Sequence, residues 1–481
     1  MTVSRREFVA TTLAAAGVRW SVVDAPAPYG PLPAPRQLAW HALEFYGFLH
    51  FTVNTFTNRE WGYGDEAPGL FHPTDFDADQ IVAAAKDGGM KGLILTCKHH
   101  DGFCLWPSRF TEHSVRQSPW RAGRGDVVRD ISEACARAGV KFGVYLSPWD
   151  RNRADYGRPE YLTYYRNQLR ELLTEYGPVF EIFLDGANGG DGYYGGAYER
   201  REIDNRTYYD WPNTWRIVRE LQADTVLFSD AGPDVRWVGN ENGIAGETCW
   251  ATQNSADFAP GRADAARLNS GDRPGTNWVP AECDVSIRPG WFYHQHEDGQ
   301  VKTPEQLVDI YYKSVGRGAS FLLNLPPDRR GRIHENDVAA LRGFRRYGAA
   351  TFGTNLAANA RVSASNARAG FAPAHVIDGK RDTYWASEDS AKTPSLTLDL
   401  GREVTFNVVR LREYVPLGQR VEAITVDVWA SGQWTAFGTA TSIGSCRLIR
   451  GPRMKTDRVR VQVVRAAVCP AISEIALFSE G

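Results

Sequence analysis

From about residue 40 to residue 348, short apolar runs alternate with amphipathic helical stretches, and this alternation constrains the fold more than any single motif. Strand, helix and parallel strand, repeated until the sheet closes, is the architecture such a rhythm encodes. Two units show it well. Residues 75–86 carry Phe76, Ile81, Val82 and Ala85 on one side and stop at Gly88-Gly89, after which 92–97 is a continuous apolar run. Asp126 then caps a helix in which Val128, Ile131, Cys135 and Ala138 recur at spacings of three and four; Gly139 ends it and 141–146 is the next strand. Further helices are predicted over 160–176, 211–222 and 304–314, and further strands over 179–184, 225–229 and 320–325. The reading is an α/β fold, a (β/α) TIM-like barrel over residues 28–350.

Beyond residue 350 the pattern changes to short β-branched runs at 395–400, 404–411, 424–429 and 459–464, which predicts an all-β sandwich of the jelly-roll kind over 351–481. The first 27 residues differ from both. Ser4-Arg5-Arg6-Glu7-Phe8-Val9, a small apolar run over 10–18, and then Ala25-Pro26-Ala27 read as a twin-arginine-type signal peptide. The apolar run is about half of the roughly 20 residues a membrane span requires, so it is an address and not an anchor. A periplasmic or extracellular location is expected.

A net charge of −2 gives no polycationic field, which removes nucleic acid as a partner. Seven cysteines lie without CxxC or CxxH spacing, against both a zinc site and a disulfide framework. Cys97 and Cys135 read as buried thiols, and a Cys446–Cys469 bridge stays open. Fifteen Trp and twenty Tyr exceed what a core needs, and such amphipathic rings suit the mixed faces of sugars.

In a parallel barrel the chemistry belongs at the C-terminal strand ends. Strand one carries His50 and runs into Asn54; strand two ends in Lys98-His99-His100-Asp101; strand three ends in Tyr145 and Ser147-Pro148-Trp149-Asp150; strand four ends in Asp185-Gly186. Asp185, held by a buried apolar run beside a glycine, is the sharpest candidate, although a lone carboxylate there also reads as a helix cap. Glycoside hydrolysis requires a second carboxylate, and Glu241 and Glu247 in the Gly-rich stretch after strand five both qualify. His99 and His100 could be metal ligands, but neighbours on a strand point to opposite faces, so hydrogen bonding to sugar hydroxyls is the preferred reading.

Gly47-Phe48-Leu49-His50-Phe51, Glu60-Trp61, Lys98-His99-His100-Asp101-Gly102-Phe103, Phe183-Leu184-Asp185-Gly186 and Ser320-Phe321-Leu322-Leu323-Asn324 together resemble glycoside hydrolase family 29, the α-L-fucosidases. Residues 277–294 and 235–241 resemble the subgroup acting on α-1,3/1,4-linked branched fucose, as in Lewis-type epitopes. The resemblance implies a retaining exo-hydrolase with no catalytic cofactor, acting on fucosylated oligosaccharides or glycoprotein glycans. Asp185 matches the nucleophile and Glu241 the acid/base. His50, Glu60, Trp61, His99, His100 and Tyr145 match fucose-binding positions, with Trp61, Trp291 and Phe183 against the methyl-bearing face and Arg236 a further hydroxyl donor. Phe183 stands where many relatives carry Trp. Residues 376–385 and 472–478 look like a discoidin, or factor 5/8 type C, domain; in that family a loop like Asp378, Asp382 and Thr383 and a carboxylate like Glu474 often hold structural calcium. A transfucosidase, a broad or α-1,2-acting fucosidase, and an inactive fucose-binding protein are the alternatives.

Overall fold

The computed structural model describes residues 24–262 and 264–481. Most of the signal-peptide reading therefore lies outside the described residues. Eight parallel strands close a barrel in sequence order: β1 (Phe45–Leu49), β2 (Gly92–Lys98), β3 (Lys141–Leu146), β4 (Glu181–Phe183), β5 (Val226–Ser229), β6 (Val235–Trp237), β7 (Ala281–Ser286) and β8 (Ser320–Asn324). Helices α1 (Ala78–Asp87), α2 (Val127–Ala138), α3 (Pro159–Glu175), α4 (Trp211–Leu221), α5 (Pro304–Lys313) and α6 (Glu335–Phe352) pack outside. The local signals act as expected in α2: the Asp126 carboxylate accepts the Arg129 N–H at 2.9 Å, and Gly139 closes the helix at φ 70°.

The regular alternation breaks after β5. Residues 230–234 alone link β5 to β6, and residues 238–280 form a long excursion that holds the 3-10 turn Ser255–Asp257, the helix Ala265–Ser270 and a small pairing of Thr252–Gln253 with Asn277–Trp278. Neither β6 nor β7 is apparent from periodicity, because β6 has three residues and β7 places Glu282 and Asp284, both buried, among its apolar positions.

Alternate residues of the strands point into the barrel, where Phe48, Ile94, Phe183, Phe228, Val235 and Leu322 form one buried cluster. Its N-terminal end is plugged by a polar group: Trp40 Nε1 donates to Tyr46 Oη (2.8 Å) and Glu181 Oε2 (3.1 Å), and Tyr46 O–H donates to Glu282. Desolvation pushes both carboxyls above the usual range, which favours their neutral forms in this sealed pair.

The C-terminal unit is antiparallel. Strands β9 (Arg361–Ala364), β10 (Trp385–Ala386), β11 (Ser395–Glu413), β12 (Val421–Ala430), β13 (Gln433–Ala440), β14 (Arg447–Ala466) and β15 (Ala471–Phe478) run in the order β10-β15-β11-β14-β12-β13, with β9 on β11. Register shifts between Asp399 and Val404 and between Phe406 and Val408 bend the long β11–β14 pair across the sandwich. All seven cysteines are free, so the Cys446–Cys469 bridge does not form.

The two units share core. Val408, Leu448 and Phe478 of the sandwich belong to the same apolar cluster as the outer face of the barrel. Beside it, Arg412 reaches Glu44 before β1 (2.8 Å) and Glu474 on β15 (2.7 Å), and Arg381 also reaches Glu44 (2.6 Å). Arg412 is 4% exposed. Removing one partner of such a buried set leaves charge uncompensated. Arg412→Met is expected to lower stability by about 3–5 kcal/mol, whereas Lys455→Ala, which breaks the exposed Lys455–Glu403 pair, costs under about 1 kcal/mol. Urea unfolding of both variants checks the contrast.

Candidate active site

The strand ends converge as the barrel requires. Asp185, just beyond β4, is held by two donors: the Ala187 N–H to Oδ1 (2.6 Å) and the Tyr145 O–H, from β3, to Oδ2 (3.0 Å). Burial raises its carboxyl above the ordinary range, while both hydrogen bonds favour the anion. The side chain keeps 29% of its surface exposed, so the carboxylate faces an opening.

Three histidines ring it. His100 Nε2 lies 3.9 Å from Asp185 Oδ2, and the His99 and His100 rings are 4.1 Å apart. The expectation that these neighbours diverge does not hold, because both lie beyond the end of β2, where strand alternation no longer applies. The hydrogen-bond network assigns their tautomers. Ser147 O–H donates to Trp149 O (2.6 Å), so at 2.7 Å it accepts from His100 Nδ1–H, leaving Nε2 an open acceptor. Asn324 Nδ2 donates to Ser286 Oγ (2.9 Å) and Trp291 O (2.8 Å), so its carbonyl accepts His50 Nδ1–H at 2.9 Å, and His50 Nε2 is open in the same way. Burial lowers His50 and His100 to about 3, so both rings are neutral acceptors. His99, likewise lowered by burial, has a buried Nδ1 with no hydrogen-bond partner among the described residues.

Glu241 lies in the turn after β6 and accepts the Trp291 indole N–H at 3.1 Å. Burial and the charges of Asp185 and Glu60 raise its carboxyl, against the Trp291 bond that lowers it. Glu247 is elsewhere: it pairs with Arg317 (2.6 Å) and Arg447 (3.4 Å) at the sandwich boundary. Glu60 accepts the Trp291 and Phe292 N–H groups (2.7 and 3.2 Å) and meets His294 Nε2 at 2.6 Å, so it fixes the segment that carries Trp291. Trp61 is 52% exposed and stands edge-on to His100 at 5.1 Å. Phe183 stacks on Phe228 at 3.8 Å as the floor beneath the pocket.

Arg236 corrects the expectation of a hydroxyl donor. It follows the inward Val235 on β6, so alternation turns it away from the barrel interior. Fully buried there, it donates to Leu268 O (2.9 Å), Trp250 O (2.9 Å) and Val279 O, binding down the 238–280 excursion. The calcium expectation is corrected too. Glu474 is taken by Arg410 (2.6 Å) and Arg412 (2.7 Å), while Asp378 accepts the Lys380 N–H (2.9 Å) and the Thr383 O–H (2.7 Å). Asp382 completes no cluster with them: among the described residues no group of three or more His, Cys, Asp or Glu is arranged to hold a metal.

A cavity of about 800 Å³ opens at the opposite end of the barrel between Trp40, Phe142, Phe180 and Val226. It lies at strand N-termini, the end of a barrel away from the chemistry, and Glu181 and Glu282 are sealed from solvent.

Asp230 was not among the sequence candidates, yet it ends β5 as Asp185 ends β4, and the same strand-end rule would have found it. A Cβ on Gly186 would come within 1.8 Å of Asp230 Oδ2, so the two strand-end turns touch and only glycine fits. Burial and the charge of Asp185 raise Asp230 to about 7. An unfolded aspartate titrates near ~4, so between about 4 and 7 the folded chain retains a proton that the unfolded chain releases, and stability falls as pH rises through that window. Asp230→Asn removes this loss. Its melting temperature relative to the parent is expected to rise steadily from pH 4 to pH 8; a constant difference would mean that Asp230 titrates as an ordinary carboxylate.

A family profile described as Alpha-L-fucosidase matches residues 33–349, and one described as NedA-like, galactose-binding domain matches 375–461. The chain is 43% identical to Alpha-L-fucosidase 1 of Arabidopsis thaliana over 95% of its own length and 89% of the relative's. Among solved structures it is similar to a putative alpha-L-fucosidase from Bacteroides thetaiotaomicron (37% identity, TM-score 0.88, 95% and 99% of the two chains). It is also similar to a glycoside hydrolase 29 fucosidase of Ruminococcus gnavus in complex with fucose (33%, TM-score 0.84, 96% and 97%). With the barrel, the paired carboxylates and the histidine ring already in place, these matches show that the chain belongs to the glycoside hydrolase family 29 α-L-fucosidases.

Proposed function

We propose that the protein is a retaining exo-α-L-fucosidase that releases α-1,3/1,4-linked fucose from Lewis-type or related branched glycans after export from the cytoplasm. The observation that carries this reading is the combination of Asp185, bound by donors that favour its charge, with Glu241, whose carboxyl is raised by burial and by the charge of Asp185. Asp185 attacks the anomeric carbon as the bond to the glycosidic oxygen breaks, and the departing oxygen takes the Glu241 proton. In the second step Glu241 takes a proton from water, the water oxygen bonds to the anomeric carbon, and Asp185 leaves as the carboxylate. His50 and His100 accept sugar hydroxyls through Nε2, and Trp61 and Trp291 offer apolar faces. Support for the linkage comes from the 277–294 segment, which resembles that subgroup and builds one wall of the pocket through the Trp291–Glu241 and Trp291–Glu60 bonds. The export reading rests on Ser4 to Ala27 alone.

Fucose release from a Lewis a or Lewis x trisaccharide, 2′-fucosyllactose and an aryl fucoside tests the reading. The Lewis sugars are expected to be preferred, and Asp185→Asn to lose at least about 10³-fold on every substrate. Glu241→Gln is expected to lose about 10²–10⁴-fold on the trisaccharide and less on an aryl fucoside whose leaving group needs no proton. Preference for 2′-fucosyllactose would remove the linkage assignment; unchanged trisaccharide turnover in Glu241→Gln would remove the acid/base.

The pH profile supplies a second test. Activity requires Asp185 ionised and Glu241 protonated, which gives a bell. Trp291→Phe deletes a hydrogen bond that favours the Glu241 anion, so the Glu241 pKa rises and the alkaline limb of kcat/KM moves to higher pH, with the acid limb in place.

A further inference from the structure

Large exposed aromatics are few on this protein, and two of them stand on the rim of the site: Trp61 and Tyr198, which is 57% exposed. Tyr198 is held at φ 48°, a backbone region that side chains other than those of Asn, Asp and Gly seldom adopt. Its ring stacks on Tyr63 at 6.0 Å with 18° between the planes. A single exposed ring needs no explanation. This one belongs to a continuous series that starts in the pocket. Trp61 meets both His100 (5.1 Å) and Trp149 (5.6 Å), the Arg151 guanidinium lies over Trp149 (5.1 Å) and over Tyr63 (4.7 Å), and Tyr63 stacks on Tyr198.

The series is rigid. Arg151 is pinned by Gly62 O (2.6 Å) and Asp191 O (2.7 Å). The Tyr193 N–H donates to Tyr63 O (3.0 Å) and the Tyr198 N–H to Tyr193 O (3.1 Å), which fastens the loop bearing Tyr198 to the loop bearing Tyr63. Both loops follow barrel strands at their C-terminal ends, so the stacked pair opens on the face that holds Asp185.

We propose that the Tyr63–Tyr198 pair is a distal sugar platform, on which a neutral hexose of the glycan, beyond the residue bearing the fucose, lies while the fucose occupies the pocket. The inference rests on the fucosidase reading above. A pyranose offers an apolar C–H face to an aromatic ring, and a preformed pair of rings receives it without ordering cost. Asp65 faces the Tyr198 hydroxyl; its carboxylate accepts sugar hydroxyls and repels acidic sugars, which is why the hexose is neutral.

The experiment compares kcat/KM on an aryl fucoside, a fucosylated trisaccharide and an extended neutral fucosylated oligosaccharide for the parent, Tyr198→Ala, Tyr63→Ala and Tyr198→Phe. The alanine variants are expected to lose about tenfold on the extended glycan, chiefly in KM, with aryl fucoside turnover within about twofold of the parent; Tyr198→Phe keeps its ring and its activity. Equal loss on all three substrates, or no loss on the extended glycan, overturns the platform. Turnover of the aryl fucoside by the parent reports on the fucosidase reading alone, so the two can fail separately.

Discussion

The geometry of the site depends on an ion pair that water cannot reach. Lys98 at the end of β2 and Asp150 after β3 meet at 3.0 Å with neither side chain exposed. Two buried charges are tolerable only if every remaining donor and acceptor is used. Here they are: Gln168 takes a second Lys98 proton at 3.0 Å, Tyr161, Tyr164 and Tyr165 surround the ammonium at 5.2–5.8 Å, and Asp150 Oδ1 accepts the Asn152 and Arg153 N–H groups at 3.1 Å. The pair ties together two strand-end turns, one carrying His99 and His100 and the other Ser147 and Trp149. The 2.7 Å bond from His100 to Ser147 spans those turns, so the tautomer of His100 is a consequence of the pair beneath it.

That dependence explains why the pocket can be polar without being charged. Protonated histidines beside Asp185 would offset its charge; burial keeps them neutral, with Nε2 of His50 and His100 open as acceptors. Burial raises the Glu241 carboxyl, and the charges of Asp185 and Glu60 raise it further. Asp185 and Glu241 thus differ in what acts on them: two hydrogen bonds favour the Asp185 anion, whereas Glu241 has one such bond and two neighbouring charges against its ionisation.

Much of this was legible in the sequence where the signal is local. Asp126, Gly139 and the apolar stripe of α2 fix that helix by chain chemistry alone, and the apolar runs that end at His99 and Asp185 mark strand ends without reference to the rest of the fold. Less could be read where tertiary packing decides. Arg236 looks like a donor aimed at a sugar in a Gly-rich stretch; its place on a three-residue strand, facing outward, depends on the closure of the barrel by β6 and β7. Glu474 resembles a calcium ligand until Arg410 and Arg412 of the neighbouring strand are brought beside it. Asp230 follows an apolar run and is legible by the strand-end rule, but nothing local indicates that its turn touches Gly186. Glu241 and Glu247 are alike by chemistry, and only the fold separates a carboxyl bonded to Trp291 from one paired with Arg447.

Glu247 nevertheless matters to the position of Glu241. The 238–280 excursion has little regular structure, and on its own such a segment could not hold Glu241 in register with Asp185 at the end of another strand. It is fastened at several points. Asn240 caps its own turn, bonding the Ile244 carbonyl at 2.8 Å; Arg317 holds Ala245 O at 2.7 Å; Arg236 binds down residues 250, 268 and 279 from inside. The sandwich supplies the rest, with Arg447 on Glu247, Gln419 accepting the Ala251 N–H at 2.9 Å, and Arg273 paired with Glu422. The C-terminal unit thus helps fasten the excursion that carries Glu241, and the Arg412–Glu44 contact anchors that unit to the base of β1.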